Sequence, residues 1–210
     1  MRCESLRDVD LSILHTLNNF VARHDTVEDP VLFYANAAEA LFLAMLLLVA
    51  VVARGQRWLG LRRAAVAAGL SAGLALAIGQ LVSHLVERAR PFVTHPASVH
   101  LFARHVADAS FPSDHATASV AIAVAILLRK RPWGSVVTLF ALILCVGRVA
   151  IGVHYPSDVL GGALLGTVAA LVLWAPGLRV RVDGLSDFAG GAWDGLLARI
   201  AGRIGLATRG

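Results

Sequence analysis

The sequence predicts an all-α fold: a polytopic membrane helix bundle with about five transmembrane helices, preceded by an N-terminal interfacial amphipathic helix. Three observations carry that prediction. Of the 210 residues, 57% are hydrophobic and only 16% charged, and the mean hydropathy of +0.70 is too apolar for a soluble domain of this size. The apolar residues fall into five runs, near 31–53, 64–86, 111–128, 133–153 and 156–175, each close to the ~20 residues that cross a bilayer core of about 30 Å. The arginines collect in the short gaps between runs, so the net charge of +5 and the pI of 10.2 read as topology signals and imply no nucleic-acid partner.

Residues 1–30 are polar, yet Leu6, Val9, Ile13, Leu17, Phe20 and Val21 recur at helical spacing, with Arg7, Asp10 and Asn18 off the stripe. This is the pattern of a helix lying in the membrane interface. Glu4, Asp8, Asp10 and Asp25 break up the amino end, so no cleavable signal peptide is expected and the first span does the targeting. The membrane domain covers 31–175, and its third run reaches full length only if "FPSDH" forms its first turn. After Trp174 the chain is rich in Gly and Arg, which predicts a cytoplasmic surface tail over 176–210 with a short amphipathic helix near Trp193 to Ile204. No second domain and no internal repeat is visible. Cys3 and Cys145 lie far apart without a CxxC or Cys/His neighbour, so neither a disulfide nor a cysteine metal site is expected.

Charge orients the bundle. Arg54, Arg57, Arg62 and Arg63 follow the first span, Arg129, Lys130 and Arg131 follow the third, and Arg179 and Arg181 open the tail. Five spans put all three groups on one face, which the positive-inside rule makes cytoplasmic. The gaps at 87–110 and 147–158 then meet on the extracytoplasmic face, together with the amino-terminal segment.

Those gaps hold "VERARPF" (86–92), "ASFPSDHA" (109–116) and "GRVAIGVHYPSD" (147–158). They supply Arg88, Arg90, Ser113, Asp114, His115, Arg148, His154 and Asp158, a density of polar groups at membrane level that marks a functional site. Pro112 and Pro156 stand where apolar helices begin, so backbone N–H groups and positive dipole ends point toward the site. Such ends hold anions, and Arg90 and Arg148 add forked cationic donors suited to phosphate oxygens. His154 lies four residues before Asp158, whose carboxylate is placed to orient one ring nitrogen and leave the other as a nucleophile. His115 supplies a second imidazole able to protonate a leaving oxygen.

Other ionisable groups have plainer readings. His84, His95, His100 and His105 read as caps or interface residues, Arg104 as a snorkelling side chain, and Arg88 divides between that reading and phosphate binding. Glu39, about eight residues into its span, reads as a hydrogen-bond partner of a neighbouring helix in the outer half. A transporter or structural protein would spread polar residues along several spans; here they gather at one rim.

The three stretches resemble the three-part signature of the type 2 phosphatidic acid phosphatase superfamily, written KxxxxxxRP, PSGH and SRxxxxxHxxxD. The resemblance spans residues 86–158, with the motifs in order. It implies that Arg90, Arg148 and Ser113 bind the phosphoryl group, with Asp114 and Arg88 beside them. It also implies that His115 is the general acid and that His154, held by Asp158, is the nucleophile that forms a phosphohistidine. Neither metal nor cofactor is implied. Three positions depart from the signature: Ser83 stands at the lysine position, leaving Arg88 or His84 as stand-ins; Gly147 replaces serine; and Asp114 replaces glycine. "PSDH", "RPF" and "HYPSD" are similar to the bacterial undecaprenyl-diphosphatase branch. That likeness implies hydrolysis of undecaprenyl diphosphate to the monophosphate, which recycles the carrier lipid of cell-wall synthesis. A phosphatidate or phosphatidylglycerol phosphate phosphatase would use the same residues. The expected partners are the lipid substrate and the bilayer, and a homo-oligomer is left open.

Overall fold

The computed structural model describes residues 6–103 and 106–203; Cys3, Glu4, Arg104, His105 and Ile204 lie outside them. The order is α1 (Leu6–Ala22), α2 (Asp25–Val52), a 3-10 turn (Gln56–Trp58), α3 (Leu59–Val86), the short α4 (Pro91–Thr94), α5 (Asp114–Arg129), α6 (Arg131–Ala150), α7 (Pro156–Trp174) and α8 (Pro176–Arg203). Among the described residues there is no strand, as the sequence predicts.

Helices α2, α6 and α7, and the segment from the 3-10 turn through α4 that contains α3, are long and apolar enough to cross a membrane. The third expected span differs. Residues 111–113 are not helical, so α5 has 16 residues, about 24 Å at 1.5 Å per residue. It stands at the centre, packed against α3, α6 and α7. Ala116, Thr117, Ser119, Ala121, Ala123 and Ala125 are buried around it. A helix surrounded by protein needs small residues to fit its neighbours more than it needs lipid-soluble ones.

Glycines set the closest of these approaches. On α7, Gly162 and Gly166 lie one turn apart and face α5. A Cβ on Gly162 would lie 2.6 Å from the carbonyl oxygen of Ser113, and one on Gly166 would collide with the carbonyl oxygen of Thr117. This contact sets the start of α7 directly against the start of α5.

Helix α1 packs Asp10, Leu14, Asn18 and Val21 inward and leaves most of its predicted apolar stripe, Leu6, Val9, Ile13 and Phe20, exposed. Unmatched backbone groups explain the choice. Asn18 Nδ2 donates to the carbonyls of His100 and Ala150, each at 2.8 Å, and its Oδ1 accepts from the His100 N–H at 2.8 Å. Satisfying buried backbone groups outweighs burying a stripe that lipid can cover.

The tail also differs from expectation, forming one continuous 28-residue helix. Asp183, Asp187 and Asp194 recur at spacings of four and seven, which puts them on one face of α8. They meet arginines at one end of the bundle: Arg129 with Asp183 at 3.1 Å, Arg63 with Asp187 at 2.5 Å, and Arg54 with Asp194 at 2.9 Å. An exposed pair such as Arg54–Asp194 contributes at most about 1 kcal/mol, so the ladder sets the position of α8 more than it adds stability. These contacts lie at the opposite end of the bundle from the three motifs.

Gly166→Ala is expected to lower stability by roughly 1–3 kcal/mol, the usual effect of overpacking, read as a lower thermal midpoint in detergent. An unchanged midpoint would show that α5 and α7 have room to spare.

Candidate active site

The three motif stretches converge on one polar chamber of about 680 Å³. Each is delivered by a helix end. Helix α3 stops at Glu87, which adopts the left-handed conformation at φ 45°; this turn is uncommon for a residue with a Cβ. It directs Arg88 and Arg90 back across the bundle. Ser113 is the N-cap of α5, followed by Asp114 and His115. Arg148 ends α6, Gly152 turns the chain at φ 82°, and Tyr155 caps α7 with Pro156 at its first position. The Gly152 turn is tight as well as left-handed, since a Cβ there would lie 2.5 Å from the His100 carbonyl oxygen.

His154 is almost fully buried between α6 and α7. Its Nδ1 lies 2.9 Å from the Ser110 carbonyl oxygen and 3.4 Å from Ser110 Oγ. A carbonyl can only accept, so Nδ1 carries the proton and Nε2 keeps its lone pair, 3.2 Å from the Arg90 Nη1 donor. Burial lowers the His154 pKa to about 4, with Arg90 and Arg148 acting in the same direction and Asp158 opposing them. The ring is therefore neutral near pH 7.

Asp158, fully buried, does not touch that ring directly. Its Oδ2 is 3.8 Å from His154 Nδ1, whereas it accepts from Ser110 Oγ at 2.5 Å and from the Tyr155 N–H at 2.8 Å. Ser110 thus stands between carboxylate and imidazole. The sequence expectation of a direct carboxylate–histidine bond is replaced by this bridge. Ser110 lies three residues ahead of Ser113 and carries no periodic or motif signal.

Arg88 lines the chamber with its donors engaged by protein groups. Nη1 donates to Asp158 Oδ1 at 2.7 Å and to Ser157 Oγ at 2.6 Å, Nη2 donates to Asp10 Oδ2 at 2.9 Å, and the guanidinium stacks 3.9 Å from the centre of the Tyr155 ring. Its donors serve protein carboxylates, and among them Asp10 comes from the amino-terminal helix. Asp10 also accepts from the Ser157 N–H at 2.9 Å and from the Ser157 hydroxyl.

Arg90 is buried, with Nε donating to Asp108 at 2.7 Å and Nη1 to the Val153 carbonyl at 3.0 Å. Arg148, also buried, reaches the Ala35 carbonyl at 3.5 Å and lines the chamber. Asp114 accepts from Gln80 at 3.0 Å. The Ser113 hydroxyl is buried with no hydrogen-bond partner among the described residues. His115 Nε2 lies 3.6 Å from Glu39 Oε2, so the Glu39 partner expected from the sequence is a group of the site. Ser83 and His84 both line the chamber.

Beside the chamber lies an apolar groove of about 240 Å³ between α2, α3 and α5, lined by Phe42, Leu43, Leu46, Ala72, Gly73 and Ile122. Glu39, Leu76, Asp114 and His115 border both spaces. Three arginines and three imidazoles in the chamber wall, beside an apolar groove, suit an anionic headgroup carrying an apolar chain.

The PAP2 superfamily model matches residues 64–179. Undecaprenyl-diphosphatase BcrC of Bacillus subtilis is 32% identical over 155 residues, covering 73% of this chain and 77% of that protein. Decaprenylphosphoryl-5-phosphoribose phosphatase of Mycobacterium tuberculosis is 38% identical over 143 residues, 67% of this chain and 73% of that one. Among solved structures, Aquifex aeolicus LpxE superposes with a TM-score of 0.66 at 23% identity, covering 77% of this chain and 92% of that one.

Nitrogen NMR of labelled histidines is expected to show His154 titrating near pH 4, well below the ordinary value of about 6.5. The sign for stability follows. Above about 6.5 the group has no effect, and between there and 4 stability falls with pH, because the unfolded chain takes up a proton the folded one refuses. A His154 midpoint at 6 or higher would contradict this environment.

Proposed function

Since the chain belongs to the PAP2 superfamily, a family of membrane phosphatases, we propose that this hydrolase removes the terminal phosphate of undecaprenyl diphosphate on the extracytoplasmic face of the membrane. The observation that carries the proposal is the shared wall of the arginine-lined chamber and the apolar groove, which together fit a phosphate head and a lipid chain. The likeness to a protein named undecaprenyl-diphosphatase supports the diphosphate. The likeness to a phosphatase of a decaprenylphosphoryl sugar phosphate supports a second reading, a phosphomonoester on a prenyl lipid. The arginine-rich ends lie opposite the chamber, which by the positive-inside rule supports an outer location for it.

The reaction proceeds by two displacements. The terminal phosphoryl group sits against Arg90 and Arg148, with the Ser113 hydroxyl and the α5 start available to its oxygens. Arg90 leaves His154 Nε2 and turns to the phosphate, which uncovers the lone pair. Nε2 attacks phosphorus in line, the P–O bond to the lipid phosphate breaks, and His115 gives its proton to that departing oxygen. Water, deprotonated by the now neutral His115, then attacks the phosphohistidine and releases inorganic phosphate. The Ser110 carbonyl holds the Nδ1 proton throughout, and Asp158 keeps Ser110 in place.

Phosphate release by the purified protein in excess EDTA tests the substrate. Undecaprenyl diphosphate is expected to be turned over faster than phosphatidate, phosphatidylglycerol phosphate or a prenyl phosphomonoester. A faster monoester would move the function to that lipid, and inertness toward all four would contradict the phosphatase reading. His154→Gln is expected to cut turnover by at least about 10³-fold, in keeping with loss of a covalent nucleophile, while the thermal midpoint stays within a few degrees.

A further inference from the structure

Glu39 lies outside the groups that hold and attack the phosphoryl in this scheme. It is nevertheless a carboxylate in the fourth turn of a membrane-crossing helix, with a side chain 73% exposed. Such a charge is costly within a membrane unless it faces a polar space. Glu39 faces one, bordering both the chamber and the groove at the throat between them. Its Oε2 is 3.6 Å from His115 Nε2, beyond hydrogen-bond range, which leaves room for a third atom near both.

The surrounding charges give this contact its meaning. Arg88, Arg90 and Arg148 face the chamber as cations, and Glu87, Asp108 and Asp114 face it as acids, with His84 and His154 beside them. Asp108 is engaged by Arg90 and Asp114 by Gln80. The field of Glu39 reaches Arg148 as well as His115. The throat is also where the lipid-side oxygen must lie, because it joins a phosphoryl group in the chamber to a chain in the groove.

Resting on the phosphatase reading, we propose that Glu39 is a positioning residue for the proton donor. It draws the Nε2–H of His115 toward the throat and offsets the arginines there, so that the imidazolium meets the departing oxygen. In the first step the Nε2–H bond breaks as the new O–H bond forms and the P–O bond is lost. In the second, Nε2 regains a proton from water. Glu39 stays a carboxylate in both.

The test is a double-mutant cycle on the full chain, using the lipid phosphate that wild type turns over fastest. Glu39→Gln is expected to lower kcat roughly 10-fold or more with KM changed less than about 2-fold, and Glu39→Asp to recover part of the loss. In a His115→Asn background, Glu39→Gln is expected to cost less than about 2-fold more, because the donor it serves is gone. A full additional loss in that background would overturn the proposal, as would wild-type kcat in Glu39→Gln. Failure of wild type on every lipid phosphate would instead sink the phosphatase reading.

Discussion

The site depends on the buried carboxylate of Asp158. No solvent reaches it, so its charge must be met by protein, and Arg88, Ser110 and the Tyr155 N–H do so. Each partner comes from a different part of the chain: the turn after α3, the run entering α5 and the cap of α7. Arg88 extends the network to Asp10 of α1. Burying ions costs several kcal/mol of desolvation apiece and gains little net stability, but removing one partner leaves a stranded charge and a loss of about 3–5 kcal/mol. The network therefore acts as a geometric lock. It fixes Ser110, and Ser110 fixes the tautomer and direction of His154.

The rest of the fold serves the same end by different means. Lipid covers the outward-facing apolar side chains, so helix contacts depend on close fit, and Gly162 and Gly166 let α7 approach α5 at backbone distance. That approach brings the Ser113 N–H to 3.1 Å from the Asp158 carbonyl oxygen, joining the second and third motifs directly. The same burial that keeps water from His154 also keeps its ring neutral, so one packing arrangement supplies both the orientation and the free lone pair of Nε2.

How far the sequence reveals this depends on the range of each interaction. Spans of about 20 apolar residues are a local property, and α2, α3, α6 and α7 follow from them. Arg90, His115, Arg148 and His154 were recognisable because helix ends bring short motifs to one rim. The Ser110 bridge, the Arg88–Asp10 pair and the Glu39–His115 contact join residues distant in the chain, and no periodicity encodes such meetings. For helix α1 the periodic apolar stripe predicted the helix, but not that Asp10 and Asn18 would turn inward to meet buried partners. In α8 a usable signal existed, since Asp183, Asp187 and Asp194 share a helical face, but the glycines around them obscured it.

In the proposed reaction His154 Nε2 is the atom that takes the phosphoryl group. The most direct measurement is an alkaline quench of the enzyme during turnover of substrate labelled in its terminal phosphate, followed by mass spectrometry of the peptides. Acid-labile phosphate on the His154 peptide, absent in His154→Gln and enriched in His115→Asn, is the result this geometry predicts. Label on another residue, or rapid turnover with no phosphoenzyme at any time and inversion of configuration at phosphorus, would contradict it.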